Sequence, residues 1–254
     1  MTLALIIAQF AVVVTGVLLA WFVGRWRLGF TWTSLSWGAL TFPLSQVARL
    51  ALVVPLQLLF SRMLDPATAA TATVILMLAT SGLFEETTRW IVLRYWAKNT
   101  RSWCDGVGFG LGHGGIEALL IFTSALATNI ILLTNGEMLR VQIAQSGDSA
   151  AIDVFNQQMD ALQNIGIGLL SASWYERVLA MTAHVVFTLI VLRAVRQRRW
   201  QLWLLAVVAH IVFNAVAVLS APHGIGIMYA LLTAFTAVGL WTVVAGPLKK
   251  TAFG

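Results

Sequence analysis

Two adjacent carboxylates and an arginine, Glu85-Glu86-Thr87-Thr88-Arg89, stand in the middle of the run SGLFEETTRWIVLRYW. Further along the chain come His113 and Glu117, then His184, then His210 and Asn214. These side-chain types suit hydrolysis. A glutamate can take a proton from water, while His and Asn donate hydrogen bonds to the charge that develops on the attacked carbonyl. The same set suits a divalent metal such as zinc, held by His113, Glu117, His184 and His210 with one position left open. Spacing alone leaves both open, and the zincin motif HExxH is absent. Serines such as Ser81 stand in no recognisable nucleophile motif, and there is no GxGD-type aspartate pair.

The surroundings make these groups unusual. Of 254 residues, 59% are hydrophobic and only 10% are charged, against about 25% charged in an average globular domain. A water-soluble fold is excluded. The apolar stretches are continuous rather than alternating, which argues for membrane helices and against a β-barrel. A single charge at the centre of such a helix costs roughly 2.5–3.5 kcal/mol even on the lenient insertion scale. Glu85, Glu86 and Arg89 therefore need partners.

The net charge of +6 does not point to nucleic acid, because Lys and Arg fall in short patches between apolar runs, as orientation signals do. Cys104 is the only cysteine, so neither an intrachain disulfide nor a cysteine metal site is expected. The first apolar run is followed, not preceded, by its arginines, the reverse of a cleavable signal peptide. It is expected to stay as a membrane helix.

The elements that must position the polar set are seven apolar segments, at about 2–23, 36–60, 68–96, 105–134, 175–194, 200–221 and 224–246. Each approaches or exceeds the ~20 residues that a span needs. Pro43 and Pro55 predict a kinked second segment, which also carries Arg49. Basic connections (Arg25 and Arg27; Lys98 and Arg101; Arg193, Arg196, Arg198 and Arg199; Lys249 and Lys250) alternate with neutral or acidic ones. That pattern places the N-terminus outside and the C-terminus in the cytoplasm, as an odd number of spans requires. The chain reads as an all-α bundle and a single transmembrane domain over 1–254, with its catalytic helices at about 68–221.

The one long polar stretch, 135–174, holds Glu137, Asp148, Asp153 and Asp160 and is expected outside. Ile152, Phe155, Met159 and Leu162 fall on one side of a helical projection. A short helix on the outer membrane surface and a plain loop both fit.

Depth and spacing tie the polar residues together. Glu85, His113, His184 and His210 each lie about nine to eleven residues from the neighbouring basic patch, roughly 15 Å deep at 1.5 Å per residue. Glu85 and Arg89, His113 and Glu117, and His210 and Asn214 are each four residues apart and share a helix face. Gly106, Gly110 and Gly114 line the side of the fourth segment that bears His113 and Glu117, which permits close approach of a neighbour. Glu85 and Glu86 point about 100° apart on their helix, so one can pair with Arg89 while the other faces a cavity. Apolar surroundings disfavour a charged carboxylate, and a carboxyl near its neutral form suits general acid–base work.

At these residues the chain resembles the YhfC family of intramembrane proteases: EETTR on one helix, GHGGIEA on the next, a single His on the third and HIVFN on the fourth. That family is grouped with the type II CAAX prenyl endopeptidases, the PrsW proteases and the Aph subunit of gamma-secretase. The resemblance covers roughly residues 80–218. It implies that Glu85 or Glu86 activates the hydrolytic water, that His113 and His210 orient or ligate it, and that Asn214 supports an oxyanion hole. Glu117 and His184 match the pattern in supporting roles, and Arg89 matches as a structural partner of one glutamate.

The expected function is an intramembrane endopeptidase of a prokaryotic cytoplasmic membrane, acting on a membrane-embedded or membrane-adjacent peptide substrate, with no nucleic-acid partner. A non-catalytic scaffold or immunity-type protein of the same superfamily is the alternative. A proton- or ion-coupled transporter ranks last, because the halves show no repeat.

Overall fold

The computed structural model describes residues 2–147, 149–164, 166–249 and 253; Asp148 and Lys250, named above for their charge, lie outside them. Among the described residues there are eight α-helices and no strand. They are α1 (Thr2–Leu28), α2 (Trp32–Met63), α3 (Pro66–Ile91), α4 (Trp103–Gln145), α5 (Ser149–Gln163), α6 (Ile167–Gln197), α7 (Trp200–Ser220) and α8 (Ile225–Val244). Seven of them are long and apolar enough to cross a membrane, and the chain is a multi-pass membrane protein.

Local chemistry sets the helix starts. The Thr31 hydroxyl caps α2 by accepting from the Ser34 amide at 3.2 Å. The Asp65 carboxylate caps α3 by accepting from the Ala67 and Thr68 amides at 3.1 Å, with Pro66 pre-set at the first helical position. Pro43 and Pro55 both sit inside α2, which is continuous over 32 residues. Below Arg89, α3 passes directly into a π-helical turn, Val92–Trp96, a feature that often marks functional sites.

The largest departure from expectation is α4, which runs 43 residues to Gln145 instead of ending near 134. Hydropathy drops after Asn135, but Glu137-Met138-Leu139-Arg140 and the residues after them are good helix formers, so the helix outlasts its apolar run. Most of 135–174 is therefore helical. Between Ser149 and Gln163, α5 has the predicted face: Phe155 and Leu162 are buried, with Met159 beside them, and Asp153 and Asp160 are exposed.

The chain divides into two compact units, Met1–Leu18 with Ala118–Arg177, and Leu19–Glu117 with Val178–Gly254. In the first, Ile6, Leu132, Phe155 and Leu162 form a buried cluster. The second contains all the candidate functional residues. Its backbones approach closely where glycines allow. A Cβ on Gly110 would lie 2.6 Å from Val185 Cα of α6, and one on Gly112 would lie 2.1 Å from the Leu35 carbonyl of α2. The Gly106/Gly110/Gly114 face does meet α6, beside His184.

Candidate functional site

Glu85, Glu86 and Arg89 from α3, His113 from α4, His184 from α6 and His210 from α7 are all buried, with Glu86, Arg89 and His113 fully inaccessible. The three imidazoles form one cluster: His113 and His184 ring centroids are 4.8 Å apart, His184 and His210 5.2 Å. Helix spacing puts each residue on an inward face, and the glycine contacts let α4 and α6 come near enough for the rings to meet.

The two glutamates are not equivalent. Both Glu86 oxygens lie 2.5 Å from Arg89 Nη1, and Glu86 Oε1 also accepts from His210 Nδ1 at 2.8 Å. Its acceptor capacity is committed to structure. Glu85 instead faces the histidines. Its Oε2 lies 3.1 Å from His113 Nε2 and 3.8 Å from His210 Nε2, while Oε1 accepts from the Gln46 side-chain amide at 3.2 Å.

Donor and acceptor chemistry fixes two tautomers. Arginine can only donate, so His184 Nδ1, 3.2 Å from Arg89 Nη2, is an acceptor. The ring proton of neutral His184 is then on Nε2, which points at Glu117 Oε2 at 2.5 Å. The Glu86 carboxylate paired to Arg89 can only accept, so His210 donates from Nδ1, and the neutral ring turns its Nε2 lone pair towards Glu85. Two acceptors, Glu85 Oε2 and His210 Nε2, thus face one another across 3.8 Å. Such a pair calls for a proton, a water hydrogen or a cation between them. His113 Nδ1 is buried with no hydrogen-bond partner among the described residues.

A metal fits there with His184 in its other tautomer, the proton on Nδ1 and the Nε2 lone pair free to ligate, which would part it from Arg89. Glu85, His113, Glu117 and His184 each offer a ligand atom, all within 4.8 Å of one another. Two imidazoles and two carboxylates form a donor set suited to zinc and similar ions. Three of the sequence-predicted ligands, His113, Glu117 and His184, are in this group, which Glu85 joins. His210 stands beside it, oriented by Glu86 in the manner of a carboxylate–histidine pair.

The other predicted residues lie close by with different contacts. Asn214 donates from Nδ2 to Ser81 Oγ at 2.9 Å, tying α7 to α3 one turn before Glu85. Arg49 makes its hydrogen-bond link to the cluster through Gln46: it donates to the Gln46 side-chain oxygen at 3.2 Å, and also to Thr80 Oγ1 and the Met77 carbonyl. Gln46 is a polar site neighbour that the sequence inventory passes over. The signal was there, a second polar side chain three residues before Arg49 on the same helix face.

Phe187 of α6 stacks on His210, with centroids 4.9 Å apart and planes 17° from parallel. Phe187 and Ala209 also line an apolar cavity of about 630 Å³ between α6, α7 and α8. Outside the spans, hydrogen bonds from Thr68 hold the exposed Asp65 carboxyl below the usual carboxylate range. Burial, then the nearby charges of Arg94 and Arg196, push the Arg101 guanidinium below its ordinary value.

The comparisons with known proteins give the chain a family. A family model described as YhfC intramembrane metalloprotease matches residues 10–235. A protein of Bacillus subtilis (strain 168) named "Uncharacterized membrane protein YhfC" is 31% identical over 144 residues, 55% of this chain and 54% of its own length. The match thus spans about half of that curated relative. No solved structure matches the chain. With the family model covering most of its length, the chain belongs to the YhfC intramembrane metalloprotease family.

Proposed function

We propose that this protein is an intramembrane endopeptidase of a prokaryotic cytoplasmic membrane, in which Glu85 activates the hydrolytic water. One observation carries the reading: Glu85 Oε2 sits 3.1 Å from His113 Nε2 and 3.8 Å from His210 Nε2 in a buried cluster, while Glu86 is committed to Arg89. Glu85 takes a proton from water as the oxygen attacks the scissile carbonyl, and returns it to the leaving amine as the C–N bond breaks. The lone pair of His210 Nε2 orients the water from the other side, its ring held by Glu86. Asn214 has a second amide hydrogen beyond the one given to Ser81, and donates it to the oxyanion. His113, Glu117 and His184 would hold a divalent ion such as zinc beside Glu85, which stays free as the base. When bound, it supplies Lewis-acid polarisation of the carbonyl and a more acidic water.

The substrate is a membrane-embedded or membrane-adjacent polypeptide. The 630 Å³ apolar cavity behind Phe187 suits the apolar side chains of such a segment. Reconstituted protein, incubated with a library of single-span membrane peptides, is expected to cleave a subset of them. Glu85→Gln and His210→Ala should abolish cleavage. If both variants cleave at the wild-type rate, the reading is wrong. The bond network of Glu86, Arg89 and His210 favours one second reading, a scaffold in which the cluster only fixes helix packing. It predicts no cleavage by the wild type and the same partner capture by Glu85→Gln.

A further inference from the structure

A second pocket, of about 200 Å³, opens where the π-helical turn after α3 meets the α6–α7 connection. Arg94, Arg198 and Arg199 line it, with Trp90, Tyr95 and Trp200 as aromatic walls. It lies outside the Glu/His cluster, and hydrolysis makes no use of it.

Three observations bear on its occupant. First, the charge is uncompensated. Among the described residues no carboxylate lies within ion-pair distance of these three guanidiniums. The acid at the start of α4, Asp105, is occupied by Thr31, Ser34 and Ser102. Burial lowers the Arg101 guanidinium first, and the charges of Arg94 and Arg196 add to it, in keeping with local positive charge. Second, Arg198 has φ +55°, the only positive φ at a non-glycine residue among those described. This position at a helix end ordinarily takes glycine, and backbone strain of this kind gathers at ligand sites. Third, Tyr95 and Trp200 are 55% and 63% exposed, the placement of amphipathic rings at a membrane–water interface. Trp90 and Tyr95 pack edge to face at 5.9 Å, which braces that wall.

We infer that this pocket binds the phosphate of an anionic phospholipid headgroup, with Arg94, Arg198 and Arg199 as its ligands. Guanidinium forks match phosphate oxygens in pairs, and basic pockets between membrane helices hold lipid headgroups by this chemistry. The aromatic rings set the depth of the glycerol region. A soluble phosphate shares the headgroup chemistry but gains nothing from the interfacial rings. The same elements carry the hydrolytic cluster, since α3 bears Glu86 and Arg89 just before Trp90, and α6 bears His184.

The test uses the full chain in lipid nanodiscs of phosphatidylcholine, with or without phosphatidylglycerol. Thermal unfolding and native mass spectrometry read stabilisation and retained lipid. Wild type should retain phosphatidylglycerol and unfold at a higher temperature in its presence. Arg198→Gly removes a guanidinium at a position whose backbone suits glycine, so it should unfold in phosphatidylcholine no earlier than wild type. Its retention of phosphatidylglycerol should nonetheless fall about fivefold, the equivalent of ~1 kcal/mol per arginine near the lipid surface. Arg94→Gln/Arg198→Gly should lose about twenty-five-fold.

Three results would overturn the proposal. The double variant could retain the lipid as wild type does. The remote pair Arg25→Gln/Arg27→Gln could lose it to the same degree, which would make the effect general surface charge. Inorganic phosphate or glycerol phosphate could stabilise as well as the lipid at equal phosphate concentration, making the pocket a soluble-anion site.

Discussion

Replacing each member of the glutamate pair by glutamine should separate two roles that the sequence leaves interchangeable. Glu86 and Arg89 are both 0% exposed and joined through both carboxylate oxygens. Glu86→Gln leaves the Arg89 cation buried without its counter-charge, and removing one partner of such a pair costs about 3–5 kcal/mol. At about 2–4 °C per kcal/mol for a chain of this size, unfolding should come roughly 6–20 °C earlier. Glu85→Gln breaks no pair with an arginine. The new amide still accepts from Gln46, so its cost should stay within about 1 kcal/mol, while peptide cleavage falls by about 10²–10⁴.

The assay is thermal unfolding of both variants in one detergent or nanodisc, beside cleavage of the same peptide. A third variant, Glu86→Gln/Arg89→Met, removes the orphaned charge and should recover much of the lost stability, giving a clear non-additivity in the cycle. Equal destabilisation by Glu85→Gln and Glu86→Gln would refute the division of labour. So would a double variant no more stable than Glu86→Gln.

Other consequences can be measured separately. If His113, Glu117 and His184 hold a metal beside Glu85, the purified chain should bind one zinc per molecule by elemental analysis, and His113→Ala should reduce that content more than about tenfold. Gly112→Ala should destabilise by about 1–3 kcal/mol or prevent folding, because its Cβ would meet the Leu35 carbonyl at 2.1 Å with no flexible side chain to give way; unfolding at the wild-type temperature would contradict that contact. The Asp65 cap gives a pH dependence of known sign. Its carboxyl is held below the usual range by hydrogen bonds from Thr68, so its contribution is present above the unfolded value and is lost as pH falls through the folded one. Amide exchange at Ala67 and Thr68, corrected for intrinsic rates, should speed up over that acid window, and Asp65→Ala should remove the pH dependence.

The spans were legible because lipid imposes a length and a composition on every crossing helix. The polar residues that meet were legible for a related reason: a charge at membrane depth is expensive enough that its presence advertises a partner. The glycine row on α4 gave the direction of approach of α6. Two things were not legible. The end of α4 depends on helix propensity continuing past the apolar run, and hydropathy does not register that. The inequality of Glu85 and Glu86 depends on which rotation brings each carboxylate to Arg89 or to His113. A spacing of one residue says only that they diverge. Gln46 escaped because an amide carries no charge and stands out less in a greasy helix than an acid or a histidine does.

The placement of protons shows why two glutamates and an arginine are needed where one glutamate could have served as a base. Arg89 has two clients: it pairs with Glu86 and donates to His184 Nδ1. Through Glu86 it fixes the Nδ1–H of His210 and frees the Nε2 lone pair for the cluster; directly, it fixes His184 the other way round, with its proton towards Glu117. One cation therefore sets opposite tautomers on two rings whose centroids are 5.2 Å apart. Without it, either ring could turn a donor towards Glu85, and the two facing acceptors would be lost. Arg89→Lys keeps the charge but not the planar fork. It should therefore retain much of the stability that Arg89→Met loses, yet fail to hold both rings. Nitrogen NMR of labelled histidines can read this directly, as a mixed tautomer population at His184 and His210 in the lysine variant against single forms in wild type. Single, unchanged forms in the lysine variant would show that the helices, and not Arg89, set the protons.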